Sequence, residues 1–464
     1  MFLGGGRTQA GGSSSSAGPN KVRQFRSGDP MEERDAQKTW ESLKKAIHQI
    51  HAHNASTLSF EELYRNAYNL VLHKHGALLY NGVQQVVLDH LKEIATDVIR
   101  AADEGLLDEL KVQWDDHRTV MVMIRDILMY LDRNYVSQYK KIPVYEMGLI
   151  AFREQVTAHE RVKDRLLKIL LDKVNQERNG EQIDRILLKH TLTMLVELGA
   201  GGQNVYKTCF EDWFIEDART FYQHESTKYV SEHTVGEYCK KAEARIREEK
   251  QRVQSYLHES TMDKIQSLMD KEWIQRHYET LVSTGARPMF EGDKVEDLER
   301  MFRLFVRVPE SLKPLHSVLR ECIKDAAKAI LSDAEKHKEP VSFIDALLKL
   351  REKYSTIVRD AFQNSKEFQI SLKTSFEETL NGDTSTARYL SLFVDELFRK
   401  GMRSVSGQLL DQADTRLDQV VTIFRYLQDK DIFESYYKHH FAKRLLSGKQ
   451  ADDGRMRPSI HCQA

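Results

Sequence analysis

A chain of 464 residues and 53.9 kDa is too long for one ordinary hydrophobic core, and length alone points to about three domains or repeat units. Its 69 Lys and Arg against 70 Asp and Glu leave a net charge of -1, so no general field draws in nucleic acid or an anionic membrane; either would need a local basic patch. Four widely spaced cysteines (Cys209, Cys239, Cys322, Cys462), with no CxxC pair, rule out a disulfide framework and a cysteine zinc site and read as thiols of a reducing compartment.

Residues 1–32 read as a disordered Gly/Ser tail. The first twenty residues are Ser-rich and free of acids, the composition of a transit peptide, but their glycines argue against the amphipathic helix such a peptide needs. Inside the tail, "KVRQFRSG" sets Val22 and Phe25 among cations. A solvated basic linker and a docking motif both fit it.

From Asp35 onward helical periodicity hardly stops. Only 8 prolines occur in the chain, and none lies between Pro30 and Pro143 or between Pro143 and Pro288, which favours long helices. "TWESLKKAIHQI" spaces Trp40, Leu43, Ile47 and Ile50 by three and four, as an amphipathic helix requires. The histidines that follow in "HQIHAHN" (His48, His51, His53) have no carboxylate or cysteine support for a metal and read as solvated side chains at a polar helix end.

"LSFEELYRNAY" comes next. Ser59 and Glu62 have the spacing of a capping box, with Leu58 and Leu63 in the two positions of a hydrophobic staple. At about 100° per residue, Leu63, Ala67, Leu70 and Val71 form one apolar face. Phe60, Tyr64 and Tyr68 widen it by roughly another 80°, beyond the ~100° that a core-facing helix needs. Rings with hydroxyls beside Glu61 and Arg65 suit a partner interface. A helix buried on two sides fits them equally well. In "LHKHG", His73 and His75 precede Gly76 at an expected helix C-terminus, where a protonated imidazole suits the helix dipole; His439 and His440 read the same way.

Arg118 to Val136 is apolar almost all round and is expected to be the central helix of a bundle. Later stretches such as "RILLKHTLTMLVEL" and "QLLDQADTRLDQVVTIFRYLQ" keep the helical period. Loop-like breaks stand at "YKKIPVY", "GAGGQN", "STGARPM", "KHKEP" and "NGDTST". "GAGGQN" lacks the Lys-Ser/Thr of a phosphate loop, so Gly199 is read as a helix cap. Adjacent acids such as Asp115 and Asp116 point in different directions on a helix and make poor acid-base partners. No cysteine or serine stands in a nucleophile setting. The pattern is all-α and non-catalytic, with no metal or cofactor site and no apolar run approaching the ~20 residues of a membrane span. Breaks at intervals of about a hundred residues suggest stacked helical repeats.

"LSFEELYRNAYNLVLHKHG" together with "MVMIRDILMYLDRNYV" resembles the first repeat of the cullin family. The likeness continues through "VYKTCFEDWFIEDARTFYQHES", "CKKAEARIREEKQRV", "DLERMFRLFVRVPESL" and "YLSLFVDELFRKG" to "IFRYLQDKDIFESYYKHHFAKRLLSG". It covers most of Asp35 to Gly448 in the family's order. The resemblance implies an elongated, α-solenoid-like stalk of three cullin repeats of about five helices each. These would occupy residues 33–155, 156–265 and 266–385, followed by the start of the C-terminal cullin region at 386–447 and a divergent tail at 448–464.

It also implies a scaffold of a cullin-RING ubiquitin ligase, in cytoplasm and nucleus, with BTB-domain substrate adaptors as partners. On the matching positions the adaptor contacts fall to Leu58, Ser59, Phe60, Glu61, Tyr64 and Tyr68, completed by Tyr130 and Arg133, with Val22 and Phe25 in a docking N-terminal extension. The family's C-terminal half holds the RING-box site and the neddylated lysine. Since "KQADDGRMRPSIHCQA" has no likeness to what should follow, those functions are expected to be missing and the helix "DIFESYYKHHFAKRLL" to lack packing partners. A helical tether unrelated to ubiquitin shares the composition and is the rival reading.

Overall fold

The computed structural model describes residues 31–200, 204–333, 339–383, 385–401 and 407–446. Among them every regular element is helical, in keeping with the all-α expectation, and no helix is long and apolar enough to cross a membrane. The chain divides into two compact units, one running to Leu166 and the other made of Leu167–Gly199 and Asn204 onward.

In the first unit the helices are α1 (Glu33–His51), α2 (Phe60–Leu72), α3 (Gly76–Arg100), α4 (Leu106–Ile127), the single turn α5 (Met129–Leu131) and α6 (Val144–Phe152). Their common core is apolar: Trp40, Leu43 and Ile47 from α1, Leu63, Ala67 and Leu70 from α2, Leu79, Val83, Val87 and Leu91 from α3, and Trp114, Met121 and Ile124 from α4. The stretch from Arg118 to Val136 is not the single, all-round buried helix its composition suggests. It breaks at Leu128, resumes for one turn, and widens into a π-helical turn over Asp132–Val136, while Met123 and Met129 stay exposed.

Two helix ends in this unit close without glycine. After α1, the amides of His53 and Asn54 bond back to the carbonyls of Ile50 and Gln49, with His53 at φ 55°. After α2, Lys74 (φ 68°) does the same, and the amides of Lys74 and His75 reach Val71 and Leu70. Both are the paired closing bonds of a Schellman motif, set on residues that adopt the left-handed region at some strain. Gly76 is therefore not the helix stop suggested by "LHKHG"; it opens α3, and His75 is its N-cap.

Gly76 is required for a different reason. A Cβ there would lie 2.6 Å from Cδ2 and 3.1 Å from Cβ of Tyr135. The base of that side chain cannot swing aside, so Gly76→Ala is expected to destabilise the first unit by about 1–3 kcal/mol, read as a lower urea midpoint. A midpoint equal to wild type would mean that the α3 start shifts freely.

The second unit begins inside α7 (Glu160–Arg178), whose residues up to Leu166 belong to the first, and holds α8 (Arg185–Glu197), α9 (Asp212–Glu232), α10 (Val235–Ser255), α11 (Thr261–Met269), α12 (Tyr278–Leu281), α13 (Arg287–Glu291), α14 (Val295–Phe305), α15 (Leu312–Leu331), α16 (Pro340–Asp360), α17 (Lys366–Leu380), α18 (Ser385–Gly401), α19 (Gly407–Tyr426) and α20 (Lys430–Leu446). A full capping box starts α10: the Thr234 hydroxyl accepts from the Glu237 amide, and the Glu237 carboxylate accepts from the Thr234 amide. Gly199 follows the cap of α8, its amide donating to the Val196 carbonyl, as expected of a helix stop. "STGARPM" is not a loop. A π-helical turn, Val282–Ala286, runs directly into α13, with Pro288 as the second residue of α13; the wider turn before it accommodates a residue that has no amide N–H to give to the preceding carbonyls.

The C-terminal helix meets its expectation only in part. α20 packs on α18, where Arg444 donates to buried Asp395 at 2.8 Å, and Phe433 is buried against Phe424 of α19, but Tyr436, Phe441, Leu445 and Leu446 stay exposed. His440 faces Asp395 from mid-helix, with 3.9 Å between them, so the dipole of a helix end does not account for it. Burial pushes the Cys239 and Cys322 thiols up to about 12 and 11, which leaves them as inert packing groups. Cys462 lies outside the described residues.

Candidate adaptor-docking surface

The start of α2 is set by its own sequence. Ser59, in extended backbone, accepts a hydrogen bond on Oγ from the Glu62 amide, which is one half of the expected capping box. Leu58 is half-buried and Leu63 buried, as a hydrophobic staple requires. Leu63, Ala67 and Leu70 then turn inward and Val71 is half-buried at their margin.

The rings stand at the margin of that inward face. Phe60 is 54% exposed, Tyr64 and Tyr68 are half-buried, and Glu61 is exposed. The rings form a row, not a plug: Phe60 and Tyr64 stack with centroids 6.3 Å apart, and Tyr68 packs on Tyr130 at 4.4 Å. Tyr130, on α5, is half-buried, and Arg133 is exposed on the π-helical turn that follows. Contacts join Phe60 to Tyr64 and Tyr68 to Tyr130, and none of Leu58, Ser59, Phe60, Glu61, Tyr64, Tyr68, Tyr130 and Arg133 is sealed in the core. Val22 and Phe25 lie outside the described residues.

Two residues were missed in the sequence. Leu72 is 42% exposed and lies four residues beyond Tyr68, so it extends the row 60, 64, 68 by another turn. The fourfold spacing was legible, but Leu72 reads as core by type. Met129, 37% exposed beside Tyr130, was hidden by the assumption of one buried helix.

The surface carries no chemistry of bond-making. It offers aromatic area, hydroxyls and the opposite charges of Glu61 and Arg133, the make-up of a protein-binding patch in which a few rings dominate affinity. Among the described residues no group of three or more His, Cys, Asp or Glu is arranged to hold a metal ion.

The all-helical fold defines the class, a helical solenoid, and comparison with known proteins gives the family. The model of the cullin alpha solenoid domain matches residues 40–456, and the chain belongs to the cullin family. Within it the likeness runs to cullin-3 proteins. Cullin-3B of Arabidopsis thaliana is 44% identical over 93% of this chain and 59% of its own length, and Cullin-3 of Dictyostelium discoideum 42% over 91% and 55%. Cullin-4A of Homo sapiens is 30% identical over 93% of this chain and 56% of that protein. The chain therefore spans between 55% and 59% of the length of these relatives.

Proposed function

We propose that this chain is the stalk of a ubiquitin ligase scaffold of the cytoplasm and nucleus, and that it captures BTB-domain adaptors on the face built by α2 and α5. The observation that carries the reading is the open aromatic row Phe60, Tyr64 and Tyr68, backed by Tyr130, on a helix whose apolar face is already satisfied by Leu63, Ala67 and Leu70. Val22 and Phe25, carried over from the resemblance, would add a second contact. The chain makes or breaks no bond in this scheme. In a whole cullin-RING ligase a helical spacer would hold an adaptor-bound substrate near a RING-box protein and its conjugating enzyme, raising the effective concentration of the substrate lysine; this chain would supply the adaptor-binding end.

Phe60→Ala tests the docking face. Truncation of an exposed ring is expected to move stability by no more than about 0.5 kcal/mol. Loss of an interface hot spot is expected to weaken binding of an adaptor BTB domain by about 2 kcal/mol or more, roughly thirtyfold in calorimetry. Unchanged affinity would remove Phe60 from the interface. Tyr68→Lys should weaken binding further, with an added stability loss because Tyr68 supports Tyr130.

A further inference from the structure

The last residue of α1 is not the solvated histidine its sequence suggests. His51 is only 8% exposed, and neither of its ring nitrogens has a hydrogen-bond partner among the described residues. Its ring lies against His90 of α3, centroids 4.0 Å apart at 42°. Two imidazoles in such contact are compatible with burial only while at least one is neutral, because two adjacent cations repel and a buried cation without a partner is strongly disfavoured.

The groups facing the pair reinforce this. From α1 and the turn after it come His48 and His53, from α3 Glu93, and from α4 Asp116 and His117. Glu93 and Asp116 favour a charge on His90, whereas His48 and His53 oppose it. For His51 the neighbouring imidazoles of His90, His117, His48 and His53 all oppose a charge. Asp116 is already engaged by His53, Nε2 to Oδ1 3.3 Å.

The position of the pair matters as much as its chemistry. Only Ala52–Thr57, a short turn ending in a 3-10 helix, separates His51 from Leu58 and the aromatic row. That turn is held by the bonds from the His53 and Asn54 amides to the last turn of α1, the turn that His51 completes.

We propose that the His51–His90 contact is an acid-sensitive latch: closed while the rings are neutral, it holds the end of α1 and the turn leading into the docking face, and it opens when the rings take up protons. Burial, then the neighbouring imidazoles, hold His51 down at about 3, so a proton is taken up only on opening. Opening becomes easier as pH falls below the ordinary histidine value. The latch stands on the pair alone; its effect on adaptor docking rests on the function proposed above.

Hydrogen exchange of the full chain at pH 7.5 and 5.5, corrected for intrinsic rates, tests it. Each imidazole that is neutral when closed and has a pKa of ~6.5 when opened favours opening by about tenfold at pH 5.5, so exchange across residues 47–58 is expected to rise by about tenfold from His51 and further from His90. The rise should vanish in His51→Gln/His90→Gln and be reduced in His51→Gln alone, which serves if the double variant does not fold. No rise in wild type, or an equal rise in the double variant, would overturn the latch. Calorimetry with an adaptor BTB domain forms the second arm. Affinity is expected to fall at pH 5.5 in wild type but not in the double variant. A pH-independent affinity alongside a normal exchange response would overturn the link to docking. Absence of BTB binding at both pH values would defeat the docking reading, with the exchange arm still deciding the latch.

Discussion

Glu249→Leu is expected to destabilise the second unit by about 3–5 kcal/mol, the range for removing one member of a buried ion pair. Glu249 is 1% exposed and is the hub of a charged network inside α7, α9 and α10. Its Oε1 accepts from Arg178 Nε at 3.0 Å, from Arg252 Nη1 at 2.8 Å and from the Tyr222 hydroxyl. Around the hub, Arg178 also donates to Asp217 at 2.8 Å, and Arg252 and Tyr256 donate to Glu177 at 3.0 and 2.7 Å. Burial pushes the Glu249 carboxyl up, but Arg178 and Arg252 more than offset it and keep it ionised.

A leucine would leave two nearly buried guanidiniums short of an anion and the Tyr222 hydroxyl without its acceptor. Glu249→Gln retains an acceptor oxygen and should lose less. Urea denaturation of both variants checks the order. Equal stability of Glu249→Leu and wild type would show that the network contributes specificity of packing and no net stability, as buried ion pairs replaced together can.

Acidification from pH 7.5 to 5 is expected to remove about 4 kcal/mol from the first unit, about 2 from each of His51 and His117. His117 is 1% exposed; its Nε2 lies 3.0 Å from the Gly148 carbonyl, and its ring packs on Phe152. Burial pushes it down to about 4, against a smaller opposing effect of that carbonyl, and pushes His51 down to about 3. Both side chains bind protons more weakly folded than unfolded. Their stability contribution is therefore complete above the unfolded value near 6.5 and is lost as pH falls from there toward the folded values. Exchange of the α4 amides in moderate urea at the two pH values reports it. A first unit as stable at pH 5 as at 7.5 would contradict it. His117→Gln should remove about half of the pH dependence, even where it lowers stability at neutral pH.

Helical class and the aromatic row are legible because both are written in local spacing. Ser59, Leu58 and Leu63 fix where α2 begins, and the period then assigns Leu63, Ala67 and Leu70 inward and the rings to one edge. Whether that edge was open could not be read, since it depends on which helix lies beside it; Tyr130, seventy residues from Phe60, supplies the answer.

The failures have the same origin. His51 and Gly76 were read from their neighbours in the chain, a polar run and a helix end. Their actual environments are set by His90 and Tyr135, contributed by other elements. The π-helical turns at 132–136 and 282–286 have no periodic signature, so one was read as continuous helix and the other as loop. The Glu249 network was equally invisible, because "CKKAEARIREEKQRV" has the composition of a solvated face.

The most direct test of the docking face is amide exchange of the full chain with and without a saturating adaptor BTB domain at neutral pH. Protection is expected across residues 58–72 and 129–136, with Tyr68 and Tyr130 covered together. Binding that leaves both segments as exchangeable as in the free chain would contradict the account.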